Sequence, residues 1–245
     1  MEVKYFFHNW PKERRIEVAR ATIDKIVDHL LYVLQLQANS EWVVYSGRVA
    51  KQIPTSFAAH AYNTLRECMH EYDVIRICAL WDKPSENTES IPTVAELIAD
   101  DEIIAKLADD ARRPWHGQDS DSEISRIIDE GAGADAAARV REQLPAMIEE
   151  VRDLHASPRL EALRQTRNKY LAHNLSVTQR ELRDPSPIRP LQYTDEQFYA
   201  LKSVPIVEKL RNGISGKGFQ FGNSVDFNRR NAQSLWSGCT FEIED

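Results

Sequence analysis

Arg167, Asn168, Lys169 and His173 fall within one short run, RNKYLAH. Their side chains suit acid–base work on an anion. A guanidinium holds an oxyanion through two parallel N–H bonds and keeps its charge at any physiological pH. An imidazole gains or loses a proton near neutrality. The run lies on a stretch that reads as a helix. Ser157 can cap it, Pro158 suits its first turn, and Leu160, Leu163, Tyr170 and Leu171 recur at helical spacing before Asn174, a left-handed stop. Arg167 shares the stripe of Leu160 and Leu163, where a cation is costly unless an anion meets it. On an ideal α-helix Arg167 and His173 stand about 9 Å apart along the axis and about 120° apart in direction, so one helix makes no tight dyad. By residue type alone, Arg167 could instead cap an acid inside a helical bundle while His173 merely ends a helix.

Arg167, its polar neighbour Asn168 and His173, with five residues between Arg and His, resemble the signature of the HEPN superfamily. A second stretch, Ile75-Arg76-Ile77-Cys78-Ala79-Leu80-Trp81-Asp82 followed by Ser90-Ile91-Pro92 at the start of another helix, resembles a branch of HEPN proteins associated with bacterial abortive infection. The likeness spans roughly residues 11 to 212. It implies an all-α, up-and-down HEPN-like helical bundle with extra helices and no sheet. It also implies a homodimer in which two motif helices meet about a two-fold axis. The activity implied is metal-independent cleavage of an RNA phosphodiester, without a cofactor, in a toxin–antitoxin or abortive-infection system of the bacterial cytoplasm. His173 would move protons to and from the ribose oxygens, Arg167 would hold the phosphate, and Asn168 would orient one of them. Arg164 and Lys169 would add positive charge for RNA, although Lys169 reads equally well as a solvated surface residue. An antitoxin or regulator protein would be a further partner. The alternative is a catalytically inactive HEPN-like protein that binds RNA or regulates a partner. Some HEPN toxins carry a Tyr two residues after the His, where a partner nucleotidyltransferase attaches AMP; here Leu175 occupies that position.

Composition sets the wider bounds. The 245 residues are 42% hydrophobic and 28% charged, enough to bury a sizeable core. A formal net charge of −7 is the wrong sign for a general nucleic-acid coat. Basic residues nonetheless outnumber acidic ones from Arg152 to Arg189, which permits a local phosphate-binding surface around the motif. No apolar run reaches the roughly 18 residues of a membrane span, and the start, MEVKYFFHNWPKE, lacks a secretory layout. Cys68, Cys78 and Cys239 are far apart and read as reduced and mostly buried. Cys68 and His70 could hold a metal only with distant partners, so no metal site is expected. His116, Asp119 and Asp121 read as a polar loop beside Trp115.

Hydrophobic periodicity supplies the elements that would position the motif. A first helix is expected from residue 11 to about 38, with Ile16, Ala19, Ile23, Ile26, Val27, Leu30 and Leu34 inward. A second should run from about Ser56 to Trp81, with Phe57, Ala61, Leu65, Cys68, Met69, Tyr72, Ile75 and Ala79 as its core stripe. Thr93-x-x-Glu96 suggests a capping box for a helix reaching Leu107. Ser120-x-x-Glu123 should start another helix, Gly131 to Ala136 should loosen the chain, and Pro145 should kink or restart the helix that follows. A stiff connector, 184–190, leads to a helix interrupted at Pro205. Four glycines from Gly213 to Gly222 then predict a loop, and a short helix should end near Trp236. Residues 1–212 would form the HEPN-like domain and 213–245 a C-terminal loop and helix.

Overall fold

The computed structural model describes residues 5–112, 123–172, 175–184, 186–216 and 218–243. Among these residues all regular structure is helical and no strand occurs, so the fold is all-α. The nine described α-helices are α1 (Lys12–Ser40), α2 (Phe57–Leu80), α3 (Ile91–Ile98), α4 (Asp101–Ala111), α5 (Glu123–His155), α6 (Pro158–Thr166), α7 (Gln179–Arg183), α8 (Asp195–Ser215) and α9 (Gly222–Trp236). The chain forms two compact units interleaved in sequence: Met1–Val27, Asp82–His155 and Pro205–Phe219 in the first, and the remaining stretches in the second. The residues after 213 therefore divide between both units.

In the first unit α3 and α4 pack against α5. The stripe of Ile16, Ala19, Ile23, Ile26 and Val27 on α1 is buried, as its spacing predicts. Arg15 is buried too, and its guanidinium donates to the carbonyls of Leu97 (2.9 Å) and Glu96 (3.2 Å). The N-cap of α3 is Ser90, whose hydroxyl accepts from the Thr93 amide, rather than Thr93 itself. Glu96 is thereby freed from a capping role. Its buried carboxylate takes two hydrogen bonds, at 2.7 and 2.9 Å, from the Arg152 fork. The predicted helix to Leu107 is broken at Asp100, which caps α4 separately.

The largest departure is α5, a single 33-residue helix that runs through Gly131, Gly133 and Pro145. Alanines around the glycines favour helix, and Gly133 has a packing reason to be there. A Cβ on it would stand 2.5 Å from the Arg112 carbonyl oxygen. The Ser120 start signal lies outside the described residues, as do Trp115, His116, Asp119 and Asp121. Gly213 likewise belongs to a helix, α8, and not to the predicted loop; its lack of a Cβ admits the Leu144 side chain, which would stand 2.6 Å from one. Gly133→Val is expected to destabilise the fold by about 1–3 kcal/mol, since the clash is with backbone that cannot swing away. Urea denaturation of the variant measures this, and an unchanged midpoint would contradict the close packing.

In the second unit α1 passes into a π-helical turn, Glu41–Tyr45, closed by the Ser46 N–H donating to the Glu41 carbonyl at 2.9 Å. Val43, Val49 and Tyr62 form a small buried cluster against which Trp236 of α9 packs. The Tyr62 hydroxyl donates to the Val43 carbonyl at 2.7 Å. For α2 the length is as expected but the inward face is not. Tyr62, Asp73, Val74, Ile77, Cys78 and Leu80 are buried, whereas Phe57, Leu65, Tyr72 and Ile75 are exposed. Cys68 is exposed as well. Periodicity located an apolar stripe, but α2 carries two, and the unit's core takes the other.

Candidate active site

Ser157 opens α6 as its sequence suggests, its hydroxyl accepting from the Leu160 amide. Leu160, Ala162 and Leu163 are fully buried. The helix does not continue through the motif. From Arg167 to Leu171 the backbone widens into a π-helical turn, closed by the Ala172 N–H donating to the Arg167 carbonyl at 2.8 Å. The ideal α-helical separation of Arg167 and His173 therefore does not apply across this stretch. π turns inside helices change the direction in which successive side chains project and recur at functional sites. Arg167, Asn168 and Lys169 are each half-buried on it. Tyr170, expected in the core, is 62% exposed because the wider turn carries it off the Leu160–Leu163 stripe.

The Arg167 Nε donates to the Asn168 Oδ1 at 3.0 Å, so the amide fixes the edge of the guanidinium. Lys169 is committed elsewhere: its Nζ pairs with the Glu181 Oε1 at 2.8 Å. That carboxylate also closes the capping box of α7, its Oε2 accepting from the Thr178 amide at 2.7 Å. Lys169 and the Thr178 amide together hold the Glu181 carboxyl down at about 2, and Glu181 in return raises the Lys169 ammonium. The buried Gln165 side chain hydrogen-bonds the Thr178 hydroxyl at 2.8 Å. The π turn and α7, which precede and follow His173 in sequence, are thus tied together. His173 and Asn174 themselves lie outside the described residues. The Thr178-x-x-Glu181 box was readable in the sequence, but a five-residue helix offers no periodicity to draw attention to it.

Arg164 is not on the surface. It is 6% exposed, and its Nη2 donates to the Trp81 carbonyl at 2.6 Å. The end of α2 is thereby pinned to α6, and the Trp81 indole N–H donates to the Ser203 hydroxyl at 2.9 Å. Arg164→Leu is expected to cost about 1–3 kcal/mol, the penalty for leaving a buried carbonyl without its donor. Lys169→Ala, which removes a half-buried ion pair with Glu181, should change stability less than Arg164→Leu does. Denaturation of the two variants side by side checks this ordering.

A second polar group, missed by the sequence reading, lies between α2, the first π turn and α8. Asp73 and Glu196 are fully buried. The Tyr45 hydroxyl donates to the Glu196 Oε1, and the His70 Nδ1 stands 3.7 Å from the same oxygen. Burial lifts the Asp73 carboxyl to about 6 and the Glu196 carboxyl to about 7. Asp73 falls on the face of α2 that periodicity had assigned to solvent. His70 faces this group while Cys68 faces outward, so the two do not converge on one point.

Among the described residues no helix is long and apolar enough to cross a membrane. No curated protein and no solved structure matches the chain significantly. The model of the HEPN family described as AbiU2 matches residues 20–235, which extends past the region covered by the sequence likeness and takes in most of α9. The chain therefore belongs to the AbiU2 family of HEPN proteins, the abortive-infection-associated branch.

Proposed function

We propose that this chain is a metal-independent endoribonuclease of a bacterial abortive-infection system, in which Arg167 and His173 act on an RNA phosphodiester. The observation that carries the reading is the π turn, on which Arg167 is half-buried with its guanidinium braced by Asn168. A neutral His173 imidazole takes the 2′-hydroxyl proton as the 2′-oxygen attacks phosphorus. The bond to the 5′-oxygen breaks, and an imidazolium returns a proton to that leaving oxygen. Arg167 binds the two non-bridging oxygens as their charge increases in the transition state. One histidine cannot be both base and acid in the same step, so two copies of the chain, each supplying a motif turn, suit the chemistry best. Lys169 lends positive charge beside the site while braced by Glu181, and Arg164 supports the turn from within the core. An antitoxin or other regulator would act by covering this surface.

The products test the chemistry. Attack by the 2′-oxygen leaves a 2′,3′-cyclic phosphate and a 5′-hydroxyl, and an oligonucleotide with 2′-deoxyribose at the cleavage position should resist. Cleavage of that substituted position at an undiminished rate would exclude the 2′-oxygen as nucleophile. RNA binding without cleavage would favour the silent, regulatory reading.

A further inference from the structure

The exposed stripe of α2 has an unusual regularity. Ala61, Leu65, Cys68, Tyr72, Ile75 and Ala79 follow one another in alternating steps of four and three residues. Leu65 is 47%, Tyr72 40% and Ile75 36% exposed. Ala61 and Cys68 are exposed, and Ala79 is half-buried. Exposed apolar residues scattered singly need no explanation. A 3.5-residue repeat on a helix whose other face is already in the core is different, because it is the spacing by which two helices pair along a seam. No charged residue interrupts it. Its length from Ala61 to Ala79 is about 27 Å at the usual rise. Tyr32 of α1 meets Tyr72 edge-on at 6.4 Å and widens the apolar surface.

The charges beside the stripe say what covers it. With Leu65 and Tyr72 at a and with Cys68 and Ile75 at d, Glu71 takes a g position and Arg76 the e position of the next heptad. These two positions face each other across a parallel pair of helices. Neither Glu71 nor Arg76 has an ion-pair partner among the described residues. The Arg76 guanidinium lies over the rings of Tyr32 (5.1 Å) and Tyr72 (6.0 Å), which hold it at the edge of the stripe. In an antiparallel pair g would face g and bring Glu71 against Glu71. Because a single chain supplies both members of the charge pair at self-complementary spacing, the natural partner is a second copy rather than a foreign helix.

We infer that α2 is the dimer seam of this protein: two copies pair their α2 helices in parallel about a two-fold axis, Cys68 meets its own counterpart, and Glu71 of each copy faces Arg76 of the other. Tyr32 and its neighbours extend the contact toward the roughly 1,000 Å² that a specific interface needs. The motif π turn packs on α2, so the seam also sets how the two Arg167–His173 sets stand relative to one another. That consequence rests on the ribonuclease reading; the pairing itself does not.

The test uses the full chain carrying Cys239→Ser, so that a short bismaleimide reports on Cys68. Light scattering at micromolar concentration should give a dimer, and the reagent should link it in high yield, with Cys68→Ser as the unlinked control. Glu71→Arg or Arg76→Glu, each checked for helical content, should weaken dimerisation at least tenfold, and the double swap Glu71→Arg/Arg76→Glu should restore it. A monomer, or a dimer indifferent to both charge reversals and not linked at Cys68, overturns the seam. RNA cleavage measured on the same samples separates the two readings. A dimer with these properties that cuts no RNA removes the ribonuclease and leaves the seam, whereas full cleavage by monomeric Glu71→Arg shows that the site needs no second copy.

Discussion

Arg167→Ala is expected to lower RNA cleavage by about 10²–10³-fold, the usual loss when one oriented donor to a transition-state oxyanion is removed. The effect should fall on kcat more than on KM, because the guanidinium is worth most as the phosphorus becomes five-coordinate. Arg167→Lys keeps the charge but loses the planar fork, so it should recover only part of the rate. Asn168→Ala should cost less, since the amide only braces the Arg167 Nε at 3.0 Å. Single-turnover rates on a short RNA give all three values. If Arg167→Ala changed only the denaturation midpoint and left the cleavage rate intact, Arg167 would be a structural residue.

The second large effect is a pH dependence of stability that runs against the usual carboxylate trend. Asp73 and Glu196 are buried, and desolvation raises them to about 6 and about 7. The Tyr45 hydroxyl pulls Glu196 toward its charged form without offsetting burial. In the unfolded chain both titrate near 4. The folded state therefore binds protons more tightly. The stability this confers is complete below about pH 4 and is lost as pH rises through about 6 and 7. A tenfold difference in proton affinity corresponds to about 1.4 kcal/mol, so the pair amounts to a few kcal/mol at most, and less than the sum because each charge opposes the other. His70 works in the opposite sense, since its burial favours the neutral ring and weakens the fold as it protonates. The denaturation midpoint should accordingly fall as pH rises from about 4 through about 7 and level off above that. Asp73→Asn should flatten that fall and raise stability at pH 8. A midpoint that climbs over this range would contradict the burial of two neutral acids.

These residues also mark where the sequence was readable. Ile16 through Leu34 on α1 and the Ser157-Pro158 start of α6 were legible because a strong period or a capping residue states one answer. The α2 stripe misled because two apolar sets share that helix, and periodicity cannot tell which of them the core will take. Gly131–Ala136 looked like a break since glycine is a poor helix former in isolation; the Arg112 carbonyl that Gly133 must admit is invisible before the chain folds. The widened turn at Arg167–Leu171 has no composition signal at all. Asp73 and Glu196 lie more than a hundred positions apart in sequence, and only the fold brings them to one place.

The ribonuclease reading is tested most directly by incubating purified full-length protein with total RNA in EDTA and comparing it with His173→Ala on a denaturing gel. The wild-type chain should fragment the RNA in the chelator, and His173→Ala should leave it intact, a loss on the order of 10²-fold or more for removing the residue that moves the protons. Fragmentation by His173→Ala at the wild-type rate, or intact RNA with both proteins, would contradict the assignment.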